Sequence, residues 1–350
     1  MPGPSLRLLV WPLVRGSRNT GVRMSASRPA TTRSFDLQGH RGARGLWPEN
    51  TLGGFKRALA LGVSTFELDC VMTQDGVVVA SHDAALNPDH TRDARGHFLA
   101  KTGPLIHQLS FAQLQQYDVG RLRPGSDYAR AHPAQVPLDG ERIPRLADLF
   151  ALVARLGERT VRFNLEAKVG PLPPNLTSPP EPFARALVDE VVRAGMHSRT
   201  TVQCFDWRVL QAVQRLAPGM ATGALTDQQG EDDTVYFGRR ARSPWLGGLD
   251  VNDFGGSVPR LAKASGAGNW SPDYLDLSAA QVAEAHALGL TVKPWTVNAP
   301  AEMERILAMG VDGMITDHPD RLRSVLASHG LPLPAPCRAA AEDVAREAPR

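Results

Sequence analysis

Short runs of β-branched and apolar residues alternate, from residue 36 to residue 326, with stretches in which apolar side chains recur every three or four positions. The first pattern predicts strands and the second predicts amphipathic helices; their alternation predicts parallel βα units. Strands are expected near 36–40, 63–70, 161–168, 200–205, 221–226, 291–297 and 313–317, with one more between 249 and 272, where glycine-rich sequence blurs the pattern. Helices fit between them at 51–61, 146–156, 182–194, 207–216, 278–288 and 301–309. Most of these end at a glycine (Gly62, Gly157, Gly195, Gly289, Gly310), as left-handed C-terminal caps do. If 77–82 is the returning arm of a hairpin rather than a barrel strand, eight parallel strands remain. That is an α/β TIM (β/α)8 barrel with a hairpin excursion after strand 2 and long loops on its C-terminal face.

The hairpin fixes a register. Asp75-Gly76 between two β-rich runs is a two-residue turn signal, and with that turn Asp69 lies directly opposite His82. Residues two apart on a strand share a face, so Glu67 and Asp69 project together while Leu68 turns away. Two oxygen donors on one face suit a hard divalent cation such as Mg²⁺ or Ca²⁺. A solvated strand face is the plainer reading, but the apolar flanks Val63, Phe66 and Val77 to Val79 argue for burial, where unpaired carboxylates are costly.

Composition adds limits. The 350 residues carry a net charge of +3, and the first 35 hold six arginines and no acid, which leaves the body near neutral and without the basic stripe of a nucleic-acid-binding protein. Residues 1–34 read as an Arg-rich, disordered leader. Its apolar run is interrupted by Arg7 and Pro12, making it a poor secretory signal and too short to span a bilayer. A transit peptide, or a translation start at Met24, would also account for it. The barrel domain is expected over 35–330, and 331–350 as a peripheral Pro/Ala-rich tail whose 339–347 portion forms a surface helix. Cys70, Cys204 and Cys337 are odd in number and widely spaced, which argues against a disulfide framework and favours a reducing, cytoplasmic setting over secretion or an organelle. Long segments at 84–145 and 227–273, and a stiff proline loop at 171–182, follow strands and so fall on the active face of a barrel. Asn175-Leu176-Thr177 matches a glycosylation sequon and is read as chance.

Candidate chemistry gathers at strand ends. His40 closes the first strand between Gly39 and Gly42, and His82 follows the hairpin arm; with the carboxylates nearby, the pair has the parts for acid–base work on a phosphate. Glu166 and Lys168 share an inward face, either as a barrel ion pair or with Glu166 on a metal and Lys168, with Arg41, on phosphoryl oxygens. Asp317 and His318 end the last strand, where His318-Pro319 also reads as a simple strand stop.

Taken in order, His40-Arg41-Gly42, Pro48-Glu49-Asn50-Thr51, Glu67-x-Asp69, Thr73-x-Asp75-Gly76, His82-Asp83, Glu166-x-Lys168, Trp295-Thr296-Val297-Asn298 and Gly310-Val311-Asp312-Gly313 through Asp317 resemble the glycerophosphodiester phosphodiesterase family from about residue 37 to residue 321. The resemblance implies a TIM barrel with a divalent cation held by Glu67, Asp69 and Glu166, acid–base catalysis by His40 and His82, and release of glycerol 3-phosphate and an alcohol such as choline or ethanolamine. Arg41, Lys168 and Trp295 are expected to bind substrate, and Glu49, Asn50 and Asn298 to support them. Which histidine is acid and which base stays open, as does direct water attack against a cyclic phosphate. The partner is then a small-molecule phosphodiester, with no nucleic acid and no stable membrane insertion. Two rivals use the same constellation: a phospholipase-like barrel acting on lysolipid headgroups, for which 84–145 offers too polar an entrance, and a barrel that binds a phosphorylated ligand without turnover. An amidohydrolase-type site would open its first strand with His-x-His, which this chain lacks.

Overall fold

The computed structural model describes residues 34–173 and 175–347, so the Arg-rich leader lies outside the described residues, as does Pro174 of the proline loop. Nine strands are β1 (Asp36–Gly39), β2 (Thr65–Met72), β3 (Val78–Ala80), β4 (Arg162–Ala167), β5 (Thr200–Cys204), β6 (Ala221–Thr226), β7 (Asn269–Pro272), β8 (Thr291–Val292) and β9 (Gly313–Thr316). Eight run parallel in the order β8-β7-β6-β5-β4-β2-β1-β9, and β3 pairs antiparallel with β2. Individual backbone bonds bridge the seam: Asp312 N donates to Val292 O, Ile315 N to Pro294 O and Val297 N to Ile315 O. The result is the expected, nearly closed TIM barrel.

The helices are α1 (Leu52–Leu61), α2 (Phe111–Leu114), α3 (Asp127–Ala131), α4 (Leu146–Arg155), α5 (Pro180–Arg193), α6 (Trp207–Leu216), α7 (Val258–Ala264), α8 (Ala279–Ala287), α9 (Pro300–Leu307), α10 (Pro319–Ser328) and α11 (Arg338–Glu347). The sequence pattern missed the short α2 and α3, α7, which is short and flanked by glycines, and α10, whose Pro319 starts a helix rather than merely ending a strand. Gly62, where φ is 94°, closes α1 in the left-handed region as the pattern anticipated.

Alternation along β2 and β4 sorts the chain into two cores. Outward-facing Phe66 meets Phe55 of α1 at 5.0 Å between ring centres, and Phe163 meets Phe150 of α4 edge-on at 4.9 Å, sealing the helical layer onto the barrel. The inward residues are polar. Asn164 donates to both Gln38 and Gln203, and Asp36 pairs with Lys293 at 2.9 Å and Arg162 at 2.7 Å, so the barrel is filled by hydrogen-bonded groups rather than aliphatic layers.

One expectation fails in detail. Cys70 pairs with Ala80, Val71 with Val79 and Met72 with Val78, which places Ser81, not His82, opposite Asp69. The loop holds three residues, Gln74-Asp75-Gly76, because the Thr73 hydroxyl accepts from Val77 N and donates to Asp75 Oδ1, and Gly76 takes the left-handed conformation at φ 78°. Three-residue hairpin loops close in this way. His82 therefore reaches the barrel mouth from the chain beyond β3.

The long segment after β3 has little regular structure but its own small core, in which Leu86, Ile106, Leu114, Val119 and Ile143 pack on Val71 and Val79. The C-terminal segment, expected at the periphery, docks on α1: Cys337 and Ala340 are buried, Cys337 N donates to Leu59 O, and Arg323 binds Gly62 O and Pro334 O at 2.7 Å each. All three cysteines are free and buried. Among the described residues no helix is long and apolar enough to cross a membrane.

Candidate active site

Parallel register assembles one layer of inward side chains at the C-terminal ends of neighbouring strands. Gly39 pairs with both Thr316 and Phe66, so the next residues, His40, Asp317 and Glu67, fall side by side. Asp69 pairs with Glu166, and Glu166 with Gln203. One oxygen from each of Glu67, Asp69 and Glu166 lies within 4.8 Å of the others, and all three residues are buried. The sequence-predicted acids thus converge.

Each acid is held. Glu67 accepts from the Arg41 backbone N at 3.0 Å and from Gln203 Nε2 at 3.0 Å; Asp69 Oδ2 accepts from Asn50 Nδ2 at 2.9 Å; Glu166 Oε1 accepts from Lys168 Nζ at 2.7 Å. Asp69 Oδ1 is buried with no hydrogen-bond partner. Burial, reinforced by the charges of Asp69 and Glu166, pushes the Glu67 carboxyl well above the usual range. Burial would raise Asp69 too, but Arg41, His82 and Lys168 outweigh it and hold that group low. An orphaned carboxylate oxygen in a cluster of three hard donors, with one member destabilised by the charge of the others, fits a divalent cation of the Mg²⁺ or Ca²⁺ type.

The two histidines flank this cluster. His40 Nδ1 sits 2.6 Å from Asp317 Oδ1, leaving Nε2 directed inward, 3.9 Å from Glu67 Oε2. Desolvation first, then the charges of Arg44 and Arg41, lower the imidazole to about 4 despite the opposing pull of Asp317, so His40 is neutral at pH 7. His82 is about one-third exposed and pairs through Nδ1 with Asp83 Oδ1 at 2.7 Å. His40 and His82 both line a cavity of about 170 Å³, together with Arg41, Arg44, Glu67, Glu166, Lys168, Gln203, Phe205, Leu225, Trp295, Thr296 and Ile315. A somewhat larger cavity of about 210 Å³, between Phe35 and Ala335, involves none of these residues.

Of the other expected residues, Arg41 and Lys168 line the cavity while bonded to carboxylates, so ion pairing and cavity lining hold at once. Trp295 lines it too, its Nε1 donating to Ser271 O at 2.8 Å and its ring edge-on to Phe205 at 5.4 Å. Glu49, Asn50 and Asn298 stand one step back: Glu49 accepts from Arg41 at 2.8 Å, Asn50 binds Asp69, and Asn298 Nδ2 donates to Asp317 Oδ2 at 2.7 Å. Sequence reasoning missed Arg44, Gln203, Phe205 and Tyr128, and left Asp317 without a role. Gln203 was legible by parity, being a polar residue at an inward position of β5. Tyr128 was not, since its helix, α3, is only 5 residues long, too short to show a helical period.

Comparison with known proteins matches residues 40–321 to the glycerophosphoryl diester phosphodiesterase family. A glycerophosphodiester phosphodiesterase of Caldanaerobacter subterraneus is 27% identical over 83% of this chain and 97% of its own length. A crystal structure from Silicibacter pomeroyi, provisionally assigned as a glycerophosphoryl diester phosphodiesterase, is 35% identical and covers 86% of this chain and 95% of its own, with a TM-score of 0.75. An Oleispira antarctica phosphodiesterase in complex with the product sn-glycerol-3-phosphate shares the fold at a TM-score of 0.61, with 21% identity over 83% of this chain and 96% of its own.

Proposed function

The chain belongs to the glycerophosphoryl diester phosphodiesterase family, and from that premise we propose that it hydrolyses small glycerophosphodiesters such as glycerophosphocholine and glycerophosphoethanolamine to glycerol 3-phosphate and a free alcohol. The observation that carries the reading is the joint lining of one cavity by Glu67 and Glu166 of the acidic cluster and two histidines, each backed by an aspartate. The Caldanaerobacter relative is named a glycerophosphodiester phosphodiesterase, and a cavity of about 170 Å³ lined by both charged and apolar side chains suits a phosphate with its glycerol and headgroup.

A phosphodiester resists attack because its anionic oxygens repel nucleophiles and its alkoxide is a poor leaving group. Glu67, Asp69 and Glu166 would hold a divalent cation, Mg²⁺ or Ca²⁺, which when bound neutralises phosphoryl charge as a Lewis acid. Arg41 and Lys168 add positive charge at the cavity wall. His40, kept neutral by burial with Nδ1–H donating to Asp317, accepts a proton at Nε2 from water or from the adjacent glycerol hydroxyl. His82, at the more open side of the cavity, protonates the departing alcohol oxygen. Trp295 and Phe205 offer an apolar wall for the glycerol carbons.

The test is choline release from glycerophosphocholine with and without chelator. Turnover is expected to stop with chelator, and His40→Ala and His82→Ala to lose roughly 10²–10⁴-fold each. Near-normal rates in both variants would end this mechanism; preference for a lysolipid would favour the headgroup-lipase rival; binding without release would favour the non-catalytic one. The buried free thiols support a cytoplasmic site of action, which cell fractionation with sequencing of the mature N-terminus would check.

A further inference from the structure

We infer that Tyr128 is a positioning residue for the substrate's phosphoryl group, setting the guanidinium groups of Arg41 and Arg44 against the cavity, and that the segment after β3 is thereby part of the binding machinery. The inference rests on the phosphodiesterase reading above. The phenol oxygen of Tyr128 accepts from Arg41 Nη1 at 3.3 Å and from Arg44 Nη1 at 3.2 Å, and its hydroxyl donates to Glu49 Oε2. Glu49 in turn accepts from the same Arg41 Nη1 at 2.8 Å. A single hydroxyl thus ties together the two arginines that line the cavity and the carboxylate that anchors one of them.

Three further features say the hydroxyl is held there for that purpose. The Tyr128 ring is wedged between the rings of His90 and His132, at 5.7 and 5.1 Å, so the phenol has little freedom to swing away. The same segment is latched to the loop that carries both arginines: Gln135 Nε2 donates to Arg44 O at 2.7 Å, and Val136 N to Leu46 O at 2.8 Å. Arg41 Nε lies 3.3 Å from Asp69 Oδ2, an ion pair that fixes the other edge of the same guanidinium beside the acidic cluster. Two guanidinium groups fixed side by side present the planar donors that bind phosphate oxygens. Without the hydroxyl their positive charges would stand close together with one fewer acceptor between them.

Groups that grip phosphate equally in the substrate and the transition state change KM and leave kcat largely alone. Tyr128→Phe keeps the wedged ring and removes only the hydroxyl. It is expected to raise KM for glycerophosphocholine roughly tenfold, the size of one charge-assisted hydrogen bond, with kcat within about twofold. A purely structural role would lower the folded fraction, which reduces the apparent kcat and leaves KM unchanged. In a double-mutant cycle with Arg44→Met the two KM effects should be non-additive, because Tyr128 acts through Arg44; additive effects would overturn the proposal. Calorimetric titration of inorganic phosphate into the Mg²⁺-loaded protein separates this inference from the reading it rests on. Weaker phosphate binding by Tyr128→Phe supports the clamp even if no glycerophosphodiester is turned over, and equal binding by the variant and the native protein refutes it.

Discussion

His40 owes its protonation state to opposing influences that differ in kind. Burial and the neighbouring Arg44 and Arg41 depress the imidazole to about 4, while Asp317, at 2.6 Å from Nδ1, works the other way and fixes which nitrogen carries the proton. Asn298 holds that aspartate by donating from Nδ2 to Oδ2 and accepting from the Asp317 backbone N at 2.9 Å. Replacing Asp317 with asparagine removes the charge that favours imidazolium and sets an amide, able to donate as well as accept, opposite Nδ1, so the tautomer is no longer fixed. The expected result is a fall in kcat of about 10²–10³-fold with a small change in KM. A base must be unprotonated, so the acid limb of the kcat/KM profile belongs near pH 4 in the native protein, and loss of the Asp317 charge moves it to lower pH. A limb that moves upward would show that Asp317 does not face the imidazole in solution.

Strand residues of the site were legible in the sequence because a strand has one period and two faces. Glu67, Asp69 and Glu166 needed only parity, and the parallel register that pairs Asp69 with Glu166 did the rest. The hairpin turn was misjudged by one residue, since a side chain, Thr73, decided the loop length and no turn dipeptide reports that. His82 lands in the site anyway because it is placed by the chain beyond β3 rather than by strand pairing. Arg44, in the turn after β1, and Tyr128, in the short helix α3, had no sustained period around them to betray them. The turn after β1 shows how closely an element can constrain chemistry: a Cβ on Gly39 would meet Gly42 O at 2.0 Å, and Gly42 N is shared between Gly39 O and Glu67 O. Gly39→Ala should therefore push the turn off β2 and displace both His40 and the Arg41 backbone N that binds Glu67. Melting should drop by several degrees and activity by at least tenfold, and a fully active variant of native melting temperature would show that the turn has room to relax.

At the scale of the whole molecule, the acidic cluster is a local cost that the remainder of the barrel sustains. Glu67 is raised well above the usual carboxylate range by burial and by Asp69 and Glu166, so its charged form opposes folding when no cation is bound. The sign follows directly. An acid whose folded value exceeds its unfolded value near 4 binds more protons folded than unfolded, so stability of the ion-free protein falls as pH rises from about 4 through the raised value. A cation that binds only the folded chain reverses this, adding about 2.7 kcal/mol at a hundredfold excess over its dissociation constant, or roughly 5 °C in a barrel of this size. Glu67→Gln separates the two effects. It removes the repelling charge and keeps one carbonyl oxygen to accept from either Gln203 or the Arg41 backbone, so at pH 8 the lost repulsion offsets the lost hydrogen bond and its ion-free form should melt close to the native protein. The increment from added Mg²⁺ or Ca²⁺ should vanish, and the pH slope of ion-free stability should flatten. Thermal melts of both proteins with chelator and with excess cation, at pH 5 and pH 8, measure all three. An undiminished increment in Glu67→Gln would mean that the cation sits elsewhere than among Glu67, Asp69 and Glu166.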